Sequence, residues 1–158
     1  MREVVTITAR GVPAVPWSVP DVGVSRRGGR RVRFSKKKPR LVEWQRYVAY
    51  HARQAMTRKP IVTGPLAVYI TFNIASEDPE KWGLPYSIPV EWSEKHEKYV
   101  KKGTCPDLTN LVKGTEDAIQ GAAFADDVQI VFCQSVRLHA RDHSAQVEIY
   151  ELEEGEPV

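Results

Sequence analysis

The sequence predicts an α+β fold: a mixed or antiparallel sheet packed by two main helices, in a single domain spanning residues 1–158. Three observations predict it. Apolar or β-branched runs at 3–12, 64–75, 128–138 and 144–152 are bounded by Pro, Gly or charged residues and read as strands. Two stretches, 39–56 and 108–122, repeat apolar residues at helical spacing. The resulting order, strand–hairpin–helix–strand–helix–strand–strand, is that of an α+β domain with a largely antiparallel or mixed sheet.

Taken in order, EVVTITARGV (3–12) alternates and is rich in β-branched residues. The Pro- and Gly-rich stretch after it carries Gly28-Gly29 between VGVSRR and RRVRF, which marks a hairpin tip flanked by arginines. In PRLVEWQRYVAYHARQAM (39–56), Leu41, Trp44, Val48 and either His51 or Ala52 share one face. Pro39 opens this helix, and it ends before Pro60. GPLAVYITFNIA (64–75) is apolar enough to lie inside a sheet. Residues 76–103, with three prolines and two tryptophans, read as a long excursion holding a short helix near 91–101. A loop of that length inside a compact domain is usually functional or mobile. In the second helix Leu108, Leu111, Val112, Thr115, Ala118, Ile119 and Ala122 form an apolar stripe for the sheet. Thr109, Lys113, Glu116 and Gln120 form a narrow polar stripe beside it. VQIVFCQSVRL and SAQVEIYEL close the chain as strands, the second running into an acidic tail, 148–158.

Length and composition bound the function. A chain of 158 residues can bury a core without disulfides, and Cys105 and Cys133 suit a reducing compartment better than a cystine framework. No apolar run approaches the ~20 residues of a membrane helix, and the opening MREVVTITARGVPAV has no secretory pattern. The expected location is the cytoplasm, with no membrane partner. The formal net charge of +3 is small, but it is unevenly spread. RRGGRRVRFSKKKPR (26–40) holds nine cations and no acid, whereas the last eleven residues hold five glutamates and no cation. Arg26, Arg27, Arg30, Arg31, Arg33, Lys36, Lys37 and Lys38, in a basic hairpin loop at 25–40, are the expected grip on a polyanion; the plainer reading of the block is a solvated loop.

The stretch CPDLTNLVKGTEDAIQGAAFADDVQIVF (105–132) sets carboxylates at both ends of one helix, with Lys113 between them. Each residue has an ordinary explanation. Asp107 can cap the helix, Asp126 and Asp127 can be turn residues, and Lys113 with Glu116 can be an exposed ion pair. Together they have the makings of a site for a hard divalent cation, which takes oxygen ligands and keeps several waters. Such an ion stabilises charge on a phosphoryl oxygen and activates water, and a lysine beside it can neutralise the leaving oxygen.

PDLTNLVKGTEDAIQGAAFADDVQIV closely resembles the signature of RusA-type Holliday-junction resolvases, small endodeoxyribonucleases of phages and prophages. That signature reads Asp-x-Asp-Asn-Leu-x-Lys, a helix, then Asp-Asp-x-Gln-[Val/Ile]. The order of the remaining elements agrees, including the Lys-rich approach WSEKHEKYVKKGTCPD. The resemblance implies a dimeric α/β protein that uses Mg²⁺, with Mn²⁺ as a substitute, and nicks four-way DNA junctions symmetrically in the course of recombination and repair. It needs no small-molecule cofactor. Carried across, Asp107, Lys113 and Asp127 are the catalytic residues, and Asp126 is a companion acid. The chain departs at Thr109, where the family has its second aspartate. Glu116 lies on the same helical stripe and leans toward the helix N-terminus, so the expected metal set is Asp107, Glu116, Asp126 and Asp127.

Other features weigh less. His139 and His143 lack partners at zinc spacing, and Trp82 and Trp92 can stack on unpaired bases or anchor the excursion. Two functions remain: a metal-dependent, structure-specific endonuclease, and a junction-binding module of the same fold whose chemistry was weakened or lost with the second aspartate. An RNA-binding adaptor leaves the pairing of Asp107 with Asp127 unexplained.

Overall fold

The structure, a computed structural model, describes residues 1–16, 18, 21–153 and 155; of residues 22–27 and 32–35 it describes the backbone alone. Strand β1 (Arg2–Arg10) is followed by a hairpin of β2 (Asp21–Arg27) and β3 (Arg30–Lys36), then by helix α1 (Pro39–Ala55) and β4 (Leu66–Ala75). A second hairpin, β5 (Val90–Ser93) and β6 (Lys98–Lys101), precedes helix α2 (Leu108–Ile119). Strands β7 (Ile130–Ala140) and β8 (Ser144–Glu151) complete the chain. The main sheet has the order β1-β8-β4-β7. β8 is antiparallel to both of its neighbours, and β4 and β7 are parallel, so the sheet is mixed as the element order predicts.

Period two decides which side of the sheet meets the helices. Leu66, Val68, Ile70 and Phe72 of β4 are buried on one face, joined by Ala145, Val147 and Ile149 of β8 and Val5, Ile7 and Ala9 of β1. Against them pack Leu41, Trp44, Val48 and Ala52 of α1 and Leu111, Ala118 and Ile119 of α2. Each buried Val, Leu, Ile or Phe among them contributes about 1.5–3 kcal/mol by leaving water. Thr115 is fully buried within the α2 stripe; its hydroxyl donates to Leu111 O at 2.9 Å, so no polar group is left unpaired there. The opposite face is mixed: Asn73 donates to Ser144 and Gln146 to Glu148, and Tyr69 packs against Phe132 and Tyr150.

Local chemistry sets several boundaries. Gly28 and Gly29 have φ of 55° and 78°, the pair of positive angles that a two-residue type I′ hairpin turn requires. Pro39 occupies the first turn of α1. Gly121, at φ 75°, follows the end of α2. β7 starts at Ile130 and not Val128, because Asp127–Gln129 form a 3₁₀ turn.

One expectation fails. Residues 91–101 are not helical: they form the β5–β6 hairpin, with Trp92 opposite Tyr99 and a four-residue turn in which Glu97 takes φ 48°. Alternating side chains that pair across strands outweighed the helix-forming lysines and glutamates between them. The start of the excursion extends the main sheet, since Pro85 bridges to Leu138 and Tyr86 N–H donates to Arg137 O. Among the described residues no helix is long and apolar enough to cross a membrane.

Candidate active site

Helix α2 lies along β7 on the helix-facing side of the sheet. The β4–β7 register pairs Val68 with Cys133, Ile70 with Ser135 and Phe72 with Arg137. Since Val68, Ile70 and Phe72 face the core, Cys133, Ser135 and Arg137 sit on that same face, beneath α2. The site is therefore strung along the α2–β7 seam and has two ends.

At the first end, Asp107 occupies the position before α2 with extended backbone angles, but its side chain caps nothing. Its carboxylate is ion-paired with Lys101 of β6. Lys101 also donates to Cys105 O at 3.4 Å. Arg137 holds the preceding residues onto β7 by donating to Pro106 O at 2.6 Å and to the Cys105 sulfur. The Lys101 hydrogen bond, then the Lys101 charge, with a smaller contribution from Arg137, keeps the Asp107 carboxyl below the usual aspartate value. Beside it opens a cavity of about 910 Å³ whose wall includes Pro13, Val15, Lys38, Arg40 and Lys101.

The second end holds Glu116, half-buried, with the exposed Asp127 and Cys133. Burial is the main reason that the Glu116 carboxyl titrates above the ordinary glutamate value; the negative charges of Asp127 and Asp117 add to it, while the Cys133 hydrogen bond and the Lys113 charge oppose it. The Cys133 thiol is itself pushed up to about 11 by the protein around it, then by the charge and hydrogen bond of Glu116. Two carboxylates, Glu116 and Asp127, are thus near enough to feel each other's charge. Lys113 is exposed one turn before Glu116, and Thr109 is exposed in the first turn.

Asp126 has a structural occupation. Its Oδ1 accepts from Val128 N–H at 3.0 Å, and Gln129 Oε1 accepts from the N–H groups of Ala125 and Asp126 at 2.9 Å each. This capping box satisfies the orphan donors of the turn. Gln129 Nε2 donates to Val62 O and Gly64 O, which ties the turn carrying Asp127 to the segment entering β4.

The four expected metal ligands do not converge. Asp107 and Glu116 are nine residues apart, a rise of about 14 Å along a helix, and each has separate partners. Among the described residues no three His, Cys, Asp or Glu side chains are grouped to hold a metal ion. A magnesium ion nonetheless takes only one or two protein carboxylates and fills its remaining positions with water and substrate oxygens. Glu116 and Asp127, whose charges interact, are the two carboxylates available for that requirement.

Of the basic block, Arg30, Arg31, Lys36, Lys37 and Lys38 are exposed at the β2–β3 hairpin and the start of α1. Lys37 donates to Gln45 at 3.2 Å and Lys38 pairs with Asp21 at 2.6 Å. The side chains of Arg26, Arg27 and Arg33 lie outside the described residues, as do Glu154 and residues 156–158 of the acidic tail. His143 Nδ1 accepts from Ala75 N–H and His139 packs on Tyr86, both structural contacts. Sequence reasoning missed Lys101, Cys133 and Arg137. Period two along VQIVFCQSVRL was the available signal, because it puts Cys133, Ser135 and Arg137 on one side. The family model described as Endodeoxyribonuclease RusA matches residues 13–150. No curated protein matches the chain.

Proposed function

This chain belongs to the endodeoxyribonuclease RusA family, and from that premise we propose that it is a metal-dependent nuclease that binds four-way DNA junctions as a homodimer and cuts them in symmetric pairs. What supports this reading is the half-buried Glu116, whose carboxyl feels the charge of Asp127 across the α2–β7 seam, with Lys113 one turn away on the same helix stripe. When bound, Mg²⁺ supplies positive charge for the developing phosphoryl oxygens and acidifies an attacking water.

The chain's own residues do the rest. Glu116 and Asp127 would hold the ion, Asp127 being kept in place by the capped turn at Asp126. Lys113 places its ammonium toward a phosphate oxygen or the leaving oxygen. Asp107, ion-paired with Lys101, would offer a further carboxylate at the other end of the seam to orient a substrate-side water. The exposed cations at Arg30, Arg31, Lys36, Lys37 and Lys38 grip phosphates without reading bases. A symmetric junction needs two identical active centres, which a two-fold dimer presents.

The second reading, a junction-binding module without chemistry, is favoured by Thr109 in place of the family's aspartate and by the lack of three grouped ligands among the described residues. Incubation with an end-labelled four-way junction in Mg²⁺ or Mn²⁺, with Asp127→Asn as control, separates the two. Paired nicks that vanish in the control support the nuclease. Tight binding with no nicks in either metal supports the module.

A further inference from the structure

We propose that the β5–β6 hairpin is a stacking platform for unpaired nucleobases of branched DNA, placed directly beside Asp107. The proposal rests on the reading of the chain as a DNA-junction nuclease and names a second contact, separate from the basic hairpin. The β5–β6 register pairs Val90 with Lys101 and Trp92 with Tyr99, so these four side chains share one face. The Trp92 and Tyr99 rings meet edge to face, with centroids 5.3 Å apart. They are not covered: Val90 is 60%, Trp92 50% and Tyr99 70% exposed. The reverse face carries Glu91, Ser93, Lys98 and Val100, of which Ser93 and Val100 are half-buried. The hairpin thus turns its large apolar side outward, the opposite of what a sheet packed for stability alone does.

Position beside Asp107 and the exposed rings identify the occupant. The fourth member of the aromatic face is Lys101, which holds the Asp107 carboxylate. Tyr99 precedes Lys101 by two residues, about 7 Å along a strand, or roughly two stacked nucleotides at 3.4 Å each. Lys95 lies in the hairpin turn and Lys98 on the reverse face, balanced by Glu91, Glu94 and Glu97, so the aromatic face itself carries no acid and one cation, Lys101. Exposed rings accept any base, because every base has a π-face. Bases inside a duplex already stack on one another, so the platform takes bases unstacked at the crossover, where the continuous stack is broken. Trp82 does not belong to it; its indole N–H donates to Ser76 O at 2.9 Å and anchors the start of the excursion.

The test compares two double variants in chelator, where no cutting occurs. Trp92→Leu/Tyr99→Leu keeps an apolar cross-strand pair but removes the rings; Trp92→Phe/Tyr99→Phe keeps rings. Fluorescence anisotropy with a single-stranded oligodeoxynucleotide, a duplex and a four-way junction reads affinity, and 2-aminopurine at the crossover reads stacking. The leucine variant is expected to lose tenfold or more on the single strand, stay within twofold on the duplex, and no longer quench 2-aminopurine. The phenylalanine variant is expected to stay within threefold of the parent throughout. Equal losses on single strand and duplex, or no loss on the single strand, overturn the proposal. So does a wild-type protein that binds no single strand. A leucine variant that changes its sedimentation instead of its DNA affinity overturns it in favour of a protein-binding face. Nicking that is absent while these affinities behave as expected faults the nuclease reading alone; normal nicking with unchanged single-strand affinity in the leucine variant faults the platform alone.

Discussion

Glu116 carries the sharpest prediction at the scale of a single side chain. If it holds the ion with Asp127, Glu116→Gln abolishes junction cleavage while leaving junction affinity within a few-fold, because the change is nearly isosteric. Thr109→Asp, which restores the family's own acid, then recovers nicking if the two positions serve one metal. Full activity of Glu116→Gln in a standard nicking assay would rule that role out. The same substitution has a stability signature. The folded state holds the Glu116 proton more tightly than the unfolded chain, so this group favours folding at pH below its unfolded value of 4.5, and the benefit is lost as pH rises through the higher folded value. In chelator, Glu116→Gln should therefore gain in melting temperature relative to the parent between pH 4 and pH 7. A constant offset across that range would show that the carboxyl is solvated.

At the scale of elements, the turn before β7 decides where Asp127 stands. Asp126 caps that turn and Gln129 bolts it to the chain entering β4. Asp126→Ala should cost about 1 kcal/mol, the usual loss for a missing cap, and should lower the cutting rate by displacing Asp127. Asp126→Asn keeps an acceptor for Val128 N–H, so its stability by urea unfolding should match the parent. If Asp126→Asn is stable yet as inactive as Asp127→Asn, then Asp126 is a ligand as well as a cap. Helix α2 depends on its apolar stripe in the same way. Leu111 is fully buried at the junction of helix and sheet, and Leu111→Ala should lose about 2–5 kcal/mol, read as a lower urea midpoint.

Across the whole molecule, function depends on charge spread over distant segments. The basic block and the carboxylates of the α2–β7 seam come from stretches of chain far apart in sequence. Reversing the charge of Arg30, Arg31 and Arg33 should weaken binding to junction and duplex alike and flatten the dependence of affinity on salt. Unchanged affinity at low salt would leave the block as a solvated loop. If the cuts are paired as proposed, two centres are required, and sedimentation at micromolar concentration should show a dimer. A monomer that cuts both strands in one encounter would sink that expectation.

The amino-acid sequence by itself determined the local features. The apolar stripe of α2, its flanking acids, the glycine tip of the β2–β3 hairpin and the apolar run of β4 each follow from spacing and turn chemistry among neighbours. Even Asp126 as a turn residue was legible, because its capping partners lie within three positions. The tertiary structure decided which of the acids meet. Asp107 went to Lys101 and Arg137, while Glu116 went to Asp127 and Cys133, since β7 runs beneath α2 beside β4. Those meetings depend on strand order and register. A slip of one residue in the β4–β7 pairing would turn Cys133 and Arg137 to the other side of the sheet. The β5–β6 hairpin was hidden for the same reason: Trp92 and Tyr99 are seven residues apart, and only their pairing across two strands, which no local period encodes, puts both rings on the face that leads to Asp107.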